Sequence, residues 1–183
     1  MNWSAFILAA AVALTVDASL MPAFEFGGAT PTLAGCLAAF VALNAERRRA
    51  WWGCWWIGLL QDFSSPAAIE GTVTFVPGPN ALGFALGAAL VLSLRSEVMR
   101  RGMVASAAGT LGLMVMAGLV WTMVWTIRGW TSDGSWPWID GSLAQFGRML
   151  MRAAVTAVAA VPFGWLLGWT FDHWGFPASR RRA

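Results

Sequence analysis

The longest apolar stretch of the chain lies between Met103 and Ile127 and reads MVASAAGTLGLMVMAGLVWTMVWTI. It contains no charged residue. As a helix rising about 1.5 Å per residue, it is longer than the roughly 30 Å hydrocarbon core of a bilayer. An uninterrupted apolar run of this length predicts a transmembrane helix.

The composition of the whole chain also favours a membrane protein. Of its 183 residues, 58% are apolar and only 11% are charged, whereas a soluble domain usually carries about 25% charged residues. The chain therefore has too little polarity to cover a water-facing surface. All twelve basic residues are arginines. They lie between apolar runs rather than on one face of a soluble domain, which excludes a nucleic-acid-binding protein.

The chain has five further apolar runs, which proline, glycine or charged residues separate from one another and from the run at 103–127. No run repeats the sequence of another. The predicted spans cover residues 3–21, 31–45, 50–62, 80–95, 103–127 and 153–171. The run at residues 3–21 lacks a preceding Arg or Lys, so we interpret it as a span rather than a signal peptide. The second and third runs are short, which leaves open a locally thinned bilayer or a pair of half-spans. The segment Phe63–Pro79 is predicted as a loop because prolines and glycines interrupt it.

The fold class that follows is an all-α integral membrane protein, with residues 1–183 forming a single domain of six transmembrane helices. Arginine sets its orientation. Three groups of three fall after the second span, after the fourth span and at the end of the chain: Arg47, Arg48 and Arg49; Arg95, Arg100 and Arg101; and Arg180, Arg181 and Arg182. With six spans, all of these lie on one side, which the positive-inside rule makes cytoplasmic. Both termini are then cytoplasmic.

Tryptophans agree with this layout. Trp51 and Trp52 follow the first arginine group directly, and Trp136 and Trp138 lie in the predicted outer loop. Indole rings favour the level of the lipid headgroups, so these residues predict an aromatic belt at each interface. Membrane lipids are therefore expected contacts of the chain.

Three polar residues within or at the end of apolar runs are candidate site residues: Asp17, Gln61 and Asp62. An acid inside a span is by default a functional residue. Asp17 also lies about one turn from the predicted outer interface, where water would solvate it, and both interpretations stand. Gln61 and Asp62 close the third run before a Ser-Pro turn. We expect Asp62 to organise this turn by accepting hydrogen bonds from backbone amides, ahead of a role in binding a ligand.

Arg148 and Arg152 form a second candidate pair, one helical turn apart before the last span. They lie on the predicted outer side. The favoured interpretation is an interfacial helix with solvated arginines. The alternative is that they bind lipid phosphate or pair with acids such as Asp133 or Asp140.

Residues that could perform catalysis are few. Cys36 and Cys54 lie in apolar runs without a CxxC spacing, so we expect buried small residues rather than redox chemistry. His173 is the single histidine and makes no metal cluster. Asp140 begins a segment that resembles the start of the CDP-alcohol phosphotransferase motif, but the required aspartates do not follow. We therefore predict no catalytic residue, no metal site and no cofactor.

Small residues four apart predict close contacts between helices. Gly83 and Gly87 lie in the fourth span, and Gly164 and Gly168 lie in the sixth. Such pairs let helix backbones approach closely in a membrane. We expect these glycines to face another helix of the chain or a partner.

Several features of roughly the first hundred residues follow one another in an order that is typical of a known family. An early span ends at Pro22, a Gly-containing loop leads to Pro31, and an arginine-rich hairpin follows. The sequence GLLQD at residues 58–62 then precedes a Ser-Pro pair, Gly71 and the Gly-rich span from Leu82 to Leu90. This order resembles the rod shape-determining protein MreD family. The second half matches in size and hydropathy alone, and the Pro-Gly-Pro segment and the many tryptophans depart from the pattern.

The resemblance implies a non-enzymatic scaffold of the machinery that elongates rod-shaped bacteria and regulates peptidoglycan synthesis. It implies the bacterial inner membrane and an MreC-like partner. It further implies the MreB filament system and the RodA-type glycosyltransferase with its penicillin-binding partner. The family fold is similar to the six-helix substrate-binding component of energy-coupling-factor transporters. The competing hypothesis is a small-molecule-binding membrane subunit of a transporter, with Asp17, Asp62 and Glu70 lining a pocket open to the outside.

Overall fold

The computed structural model describes residues 1–64, 67–69, 72–74, 77–98, 104–133 and 142–176. Helices dominate these residues: α1 (Trp3–Ser19), α2 (Leu33–Asn44), α3 (Arg47–Ser64), α4 (Pro79–Val98), α5 (Val104–Asp133) and α6 (Ser142–Trp169). Short 3-10 turns follow α1 and α6, at Met21–Phe24 and Phe171–Trp174. The prediction of a predominantly helical chain is confirmed.

Two segments differ from the sequence prediction. Between α3 and α4, within the predicted loop, strands β1 (Ala67–Ile69) and β2 (Thr72–Thr74) pair antiparallel, with Ala67 opposite Thr74. Pro79 ends that loop as the first residue of α4, a position where its missing N–H needs no partner. α6 begins at Ser142 rather than at residue 153, so the two arginines before the predicted span belong to one long helix.

α2 is the central helix of the bundle. Ten of its twelve residues are buried, and it contacts each of the other five α-helices. Its side chains are mostly small, which lets the surrounding helices approach. Cys36 and Cys54 are buried as predicted and donate to backbone carbonyls, Cys36 to Thr156 at 3.6 Å and Cys54 to Ala38 at 3.2 Å.

α4 and α5 run antiparallel, and glycines mark where their backbones meet. A Cβ on Gly83 would lie 2.7 Å from the Cα of Ala117, and one on Gly87 would lie 2.8 Å from the carbonyl oxygen of Leu113. The N-terminal half of α4 therefore packs directly on the backbone of α5. In α6, Gly164 faces Ser106, with 3.1 Å from a built Cβ to the Cβ of Ser106.

Gly168 does not fulfil its predicted role within the described residues, since a Cβ there would meet nothing within 4 Å. It lies near the C-terminal end of α6 on an exposed face. The spacing of small residues was the same as in α4, but no helix of the described bundle covers this face. Spacing alone does not tell which face of a helix is covered.

The outside of the bundle is apolar. Large exposed side chains lie along α1, α4, α5 and α6, among them Leu8 at 68%, Val158 at 74% and Leu143 at 84% exposure. The buried residues of α1 include the small Ala10 and Ala13 instead. Helices that are apolar on their outer faces suit a lipid environment or an extensive protein contact.

Two helices are long and apolar enough to cross a bilayer, at Val104–Ile127 in α5 and Leu143–Trp169 in α6. Shorter apolar helical segments occupy Trp3–Ser19, Leu33–Asn44 and Pro79–Arg95. The structure thus shows a helical chain with two candidate spans. The remaining predicted crossings depend on how the shorter helices meet the membrane.

Packing between α4 and α5 is tested by Gly87→Ala. The added methyl group meets backbone atoms of α5, so the two helices must move apart. We expect a loss of about 1–3 kcal/mol in the free energy of unfolding, measured as a lower melting temperature in a fixed detergent. Gly168→Ala is the matched control and should leave the melting temperature unchanged. Equal melting temperatures for both variants would show that α4 and α5 are not in close contact at Gly87.

Candidate functional site

Asp17, near the end of α1, binds the beginning of α2. Its Oδ1 accepts a hydrogen bond from the backbone N–H of Leu33 at 2.6 Å. Its Oδ2 accepts from the N–H of Ala34 at 3.0 Å and from the hydroxyl of Thr32 at 2.7 Å. The first amides of a helix have no partner inside that helix, and they form the positive end of its dipole. The carboxylate of one helix therefore caps the next.

Asp62, near the end of α3, does the same for α4. Its Oδ2 accepts from the N–H groups of Gly78 at 2.8 Å and Ala81 at 3.2 Å, and its Oδ1 accepts from the N–H of Asn80 at 3.1 Å. Only 4% of Asp62 is exposed. Gly78 directly precedes α4, and Asn80 and Ala81 lie in its first turn, so the donors belong to the start of α4. The predicted Ser-Pro turn, at Ser65 and Pro66, lies outside the described residues.

The two caps are one arrangement used twice. In each, an aspartate binds backbone amides that lie 16 to 19 positions further along the chain. Gln61 links the two caps. It directly precedes Asp62 in α3, and its Nε2 lies 3.5 Å from the Oγ1 of Thr32, which Asp17 also binds. The sequence shows no repeat here because the intervening loops have different compositions. We call this end of the bundle, where α2 and α4 begin, the Asp end.

A pocket of about 160 Å³ opens beside Asp17 at the Asp end. Its polar residues come from α1, from the segment before α2, from α3 and from α6: Asp17, Thr30, Gln61, Ser64 and Arg152. Gln61 is only 6% exposed, and its Oε1 has no hydrogen-bond partner among the described residues. The Nε of Arg152 is likewise buried without a partner there. Unpaired buried polar atoms are uncommon in folded proteins, and here both line one pocket.

Arg152 and Arg148 have different surroundings although they are one turn apart. Arg152 is half-buried and lines the pocket together with Asp17. Arg148 is exposed, and its Nη2 donates to the Oε1 of Gln145. The prediction of two solvated arginines on an interfacial helix therefore fits Arg148 but not Arg152, because the continuous α6 carries Arg152 into the bundle.

Arg95 caps α2 at its opposite end. This arginine is only 9% exposed, and its Nη1 donates to the carbonyl oxygen of Ala45, the C-cap of α2, at 2.8 Å. A cation is favourable at the negative end of a helix dipole. α2 therefore has a carboxylate at its beginning and a guanidinium at its end. We call this second end of the bundle the Arg end.

Sequence reasoning used Arg95 only as a marker of orientation and did not single out Thr156. The N–H of Thr32 donates to the Oγ1 of Thr156 at 3.2 Å, which ties α2 to α6. The available signal for Arg95 was its place directly at the end of an apolar run, apart from the other arginines of its group. Thr156 offered no comparable signal, because a threonine within an apolar run is common.

Some residues singled out from the sequence lie outside the part of the chain that the structure describes: Pro66, Glu70, Gly71, Arg100, Arg101, Trp136, Trp138, Asp140 and Arg180, Arg181 and Arg182. The side chain of Asp133 also lies outside it. Within the described residues, no three His, Cys, Asp or Glu side chains are grouped to hold a metal ion. His173 is exposed in the turn after α6.

Comparisons with known proteins add no relative. No protein-family model matches the chain, and neither a curated protein nor a solved structure matches it. Function is therefore inferred from the pattern of the sequence and from the contacts at the two ends of the bundle.

The caps are tested by Asp17→Ala and Asp62→Ala. Each change leaves backbone amides at a helix start without an acceptor, so we expect each variant to lose about 2 kcal/mol in the free energy of unfolding. Asp62→Asn should lose less, because an amide oxygen still accepts. The measurement is the melting temperature in detergent, followed by the helical circular dichroism signal.

Ser64→Ala is the control for the same helix end. Ser64 is exposed, and its hydroxyl donates only to the carbonyl oxygen of Leu60, one turn earlier in α3. Its removal should leave the melting temperature within about a degree of the wild type. Alanine variants of Asp17 and Asp62 that melt like Ser64→Ala would contradict the capping role.

Proposed function

We propose that this chain is an integral membrane protein that crosses the bilayer six times, with both termini in the cytoplasm. Three observations support it. Large apolar side chains cover the outside of the bundle. Two helices have the length and composition of membrane spans. The central helix α2, about 18 Å long at 1.5 Å per residue, is enclosed by the other helices, so it need not match the thickness of the bilayer.

The Arg end is proposed to be cytoplasmic. Arg47, Arg48 and Arg49 begin α3 there, and Arg95 lies near the end of α4. Excess arginine marks cytoplasmic loops. The Asp end then faces the outside, where the two caps hold the beginnings of α2 and α4.

We further propose that the protein is a non-enzymatic scaffold of the bacterial cell-elongation machinery, located in the inner membrane and acting with an MreC-like partner. The MreB filament system and the RodA-type glycosyltransferase with its penicillin-binding partner are its proposed wider context. The support is the resemblance at residues 58–62 together with what these residues do. A Cβ on Gly58 would lie 2.7 Å from the Cα of Ala81, Gln61 joins the caps, and Asp62 caps α4.

The observation that carries this proposal is that every polar or glycine position of the GLLQD segment builds the Asp end. Gly58 lets the backbones of α3 and α4 meet, and Asp62 fixes where α4 begins. The glycine and polar residues of this segment thus hold the surface of the Asp end in one shape. A surface of fixed shape is what a scaffold presents to a partner, because preorganised groups lose less entropy on binding.

The second candidate function is a small-molecule-binding subunit of a transporter. The pocket beside Asp17 supports it, because Gln61 and Arg152 line it and each has a buried polar atom without a hydrogen-bond partner among the described residues. Its volume of about 160 Å³ is below the roughly 300–1,000 Å³ of common ligand pockets. A ligand would have to be small and polar, and the scaffold is favoured for that reason.

Gentle purification from the native membrane separates the two functions. The scaffold predicts that a bitopic MreC-like protein co-purifies in a near-stoichiometric amount, as measured by mass spectrometry. Asp62→Ala should lower this recovery several-fold through loosening of the Asp end, while Arg152→Gln should leave it unchanged. Recovery of a small molecule that is lost in Arg152→Gln, without any MreC-like protein, would contradict the scaffold and support the transporter subunit.

A further inference from the structure

A groove of about 530 Å³ lies between α3 and α4 at the Arg end. Arg47 and Arg48 line its entrance, and Trp51 and Trp52 form the wall one turn further along α3. On the side of α4, the apolar residues Ala89 and Leu92 line the groove. The groove therefore changes from basic to apolar in the direction from the end of the bundle toward its middle.

The two arginines at the entrance keep their positive charge available. Both are exposed, and neither forms an ion pair with another described residue. Glu46 also borders the groove, but its carboxylate lies 3.6 Å from the Nε of Arg49. Among the described residues that border the groove, Glu46 is the one acid and Arg49 offsets it, so a net charge of about two remains at Arg47 and Arg48. Two neighbouring guanidinium groups suit a phosphate, which they bind through paired N–H donors.

The wall of the groove fits an acyl chain below such a phosphate. Trp51 and Trp52 are 37% and 43% exposed, and their rings meet edge to face with centroids 5.0 Å apart. Indole rings settle at the level of lipid headgroups. Ala89 is exposed at the opposite side of the groove and leaves room there. A soluble anion would use only the basic entrance, whereas a phospholipid would use both the entrance and the apolar wall.

We propose that the α3–α4 groove binds one anionic glycerophospholipid, with its phosphate at Arg47 and Arg48 and an acyl chain along Trp51, Trp52 and Leu92. The proposal rests on the membrane location proposed above but not on the scaffold function. It gives the Arg end a preference for a leaflet rich in negative lipid. The attraction of each arginine to an anionic surface makes the headgroup charge, rather than chain length, the main determinant of binding.

The test uses the purified full chain in a neutral detergent, with the melting temperature followed as lipid is added. Phosphatidylglycerol should raise the melting temperature by several degrees and saturate. Phosphatidylcholine at the same concentration and inorganic phosphate alone should not. Equal stabilisation by phosphatidylcholine would overturn the charge preference, and equal stabilisation by inorganic phosphate would show a soluble-anion site instead.

Three variants locate the effect. Arg47→Gln combined with Arg48→Gln should weaken the apparent affinity for phosphatidylglycerol about thirtyfold, from the attraction of two arginines to the headgroup. Arg148→Gln is the matched control and should change it less than about twofold, since Arg148 is an exposed arginine of α6 that does not line the groove. Ala89→Phe keeps both arginines and narrows the groove, so it should also weaken binding. Unchanged affinity in the double variant, or an equal loss in Arg148→Gln, would overturn the proposal.

The result is separable from that of the co-purification experiment. If the chain shows no preference for phosphatidylglycerol but an MreC-like protein co-purifies, the lipid site is contradicted and the scaffold proposal stands. If phosphatidylglycerol raises the melting temperature saturably but no such partner co-purifies, the lipid site is supported and the scaffold proposal is contradicted.

Discussion

The first backbone amides of α2 and α4 must find acceptors in a place where water is scarce. An unpaired amide in an apolar setting costs several kcal/mol, and a helix start carries several such amides. Asp17 and Asp62 meet this need from neighbouring helices, each through both carboxylate oxygens. Because α2 lies at the centre of the bundle and contacts all five other helices, the position of its first turn fixes where those helices pack.

The same constraint explains where the polar residues are. Arg95 binds the carbonyl at the end of α2, so the central helix carries opposite charges at its two ends, each placed favourably in the dipole. Among the described residues, two places at the ends of the bundle are lined by polar or charged groups that lack partners, the pocket beside Asp17 at the Asp end and the α3–α4 groove at the Arg end. The first is small and has a largely polar lining, and the second has a basic entrance and an apolar wall.

The sequence placed an apolar run in each of the six described helices and predicted α5 most closely, because its run at Met103–Ile127 is long and uninterrupted. It also predicted that Asp62 accepts hydrogen bonds from backbone amides, because this acid closes an apolar run just before a loop. It did not predict that Asp17 caps α2, since the donors at Leu33 and Ala34 lie a loop away and any loop could have carried them elsewhere. Nor did spacing distinguish Gly87, which faces α5, from Gly168, which faces no described helix. Contacts between distant segments depend on how helices are rotated, and a pattern of apolar residues on all faces does not encode that rotation.

Hydrogen exchange of single amides, measured by nuclear magnetic resonance on the protein in detergent, tests the capping role most directly. The N–H groups of Leu33 and Ala34 in α2, and those of Gly78 and Ala81 at the start of α4, should exchange slowly in the wild type. In Asp17→Ala, exchange should quicken by more than about tenfold at Leu33 and Ala34 and stay slow at Gly78 and Ala81, since an unpaired amide opens to solvent more readily. Fast exchange at these four amides in the wild type, or no change at Leu33 and Ala34 in the variant, would contradict the account.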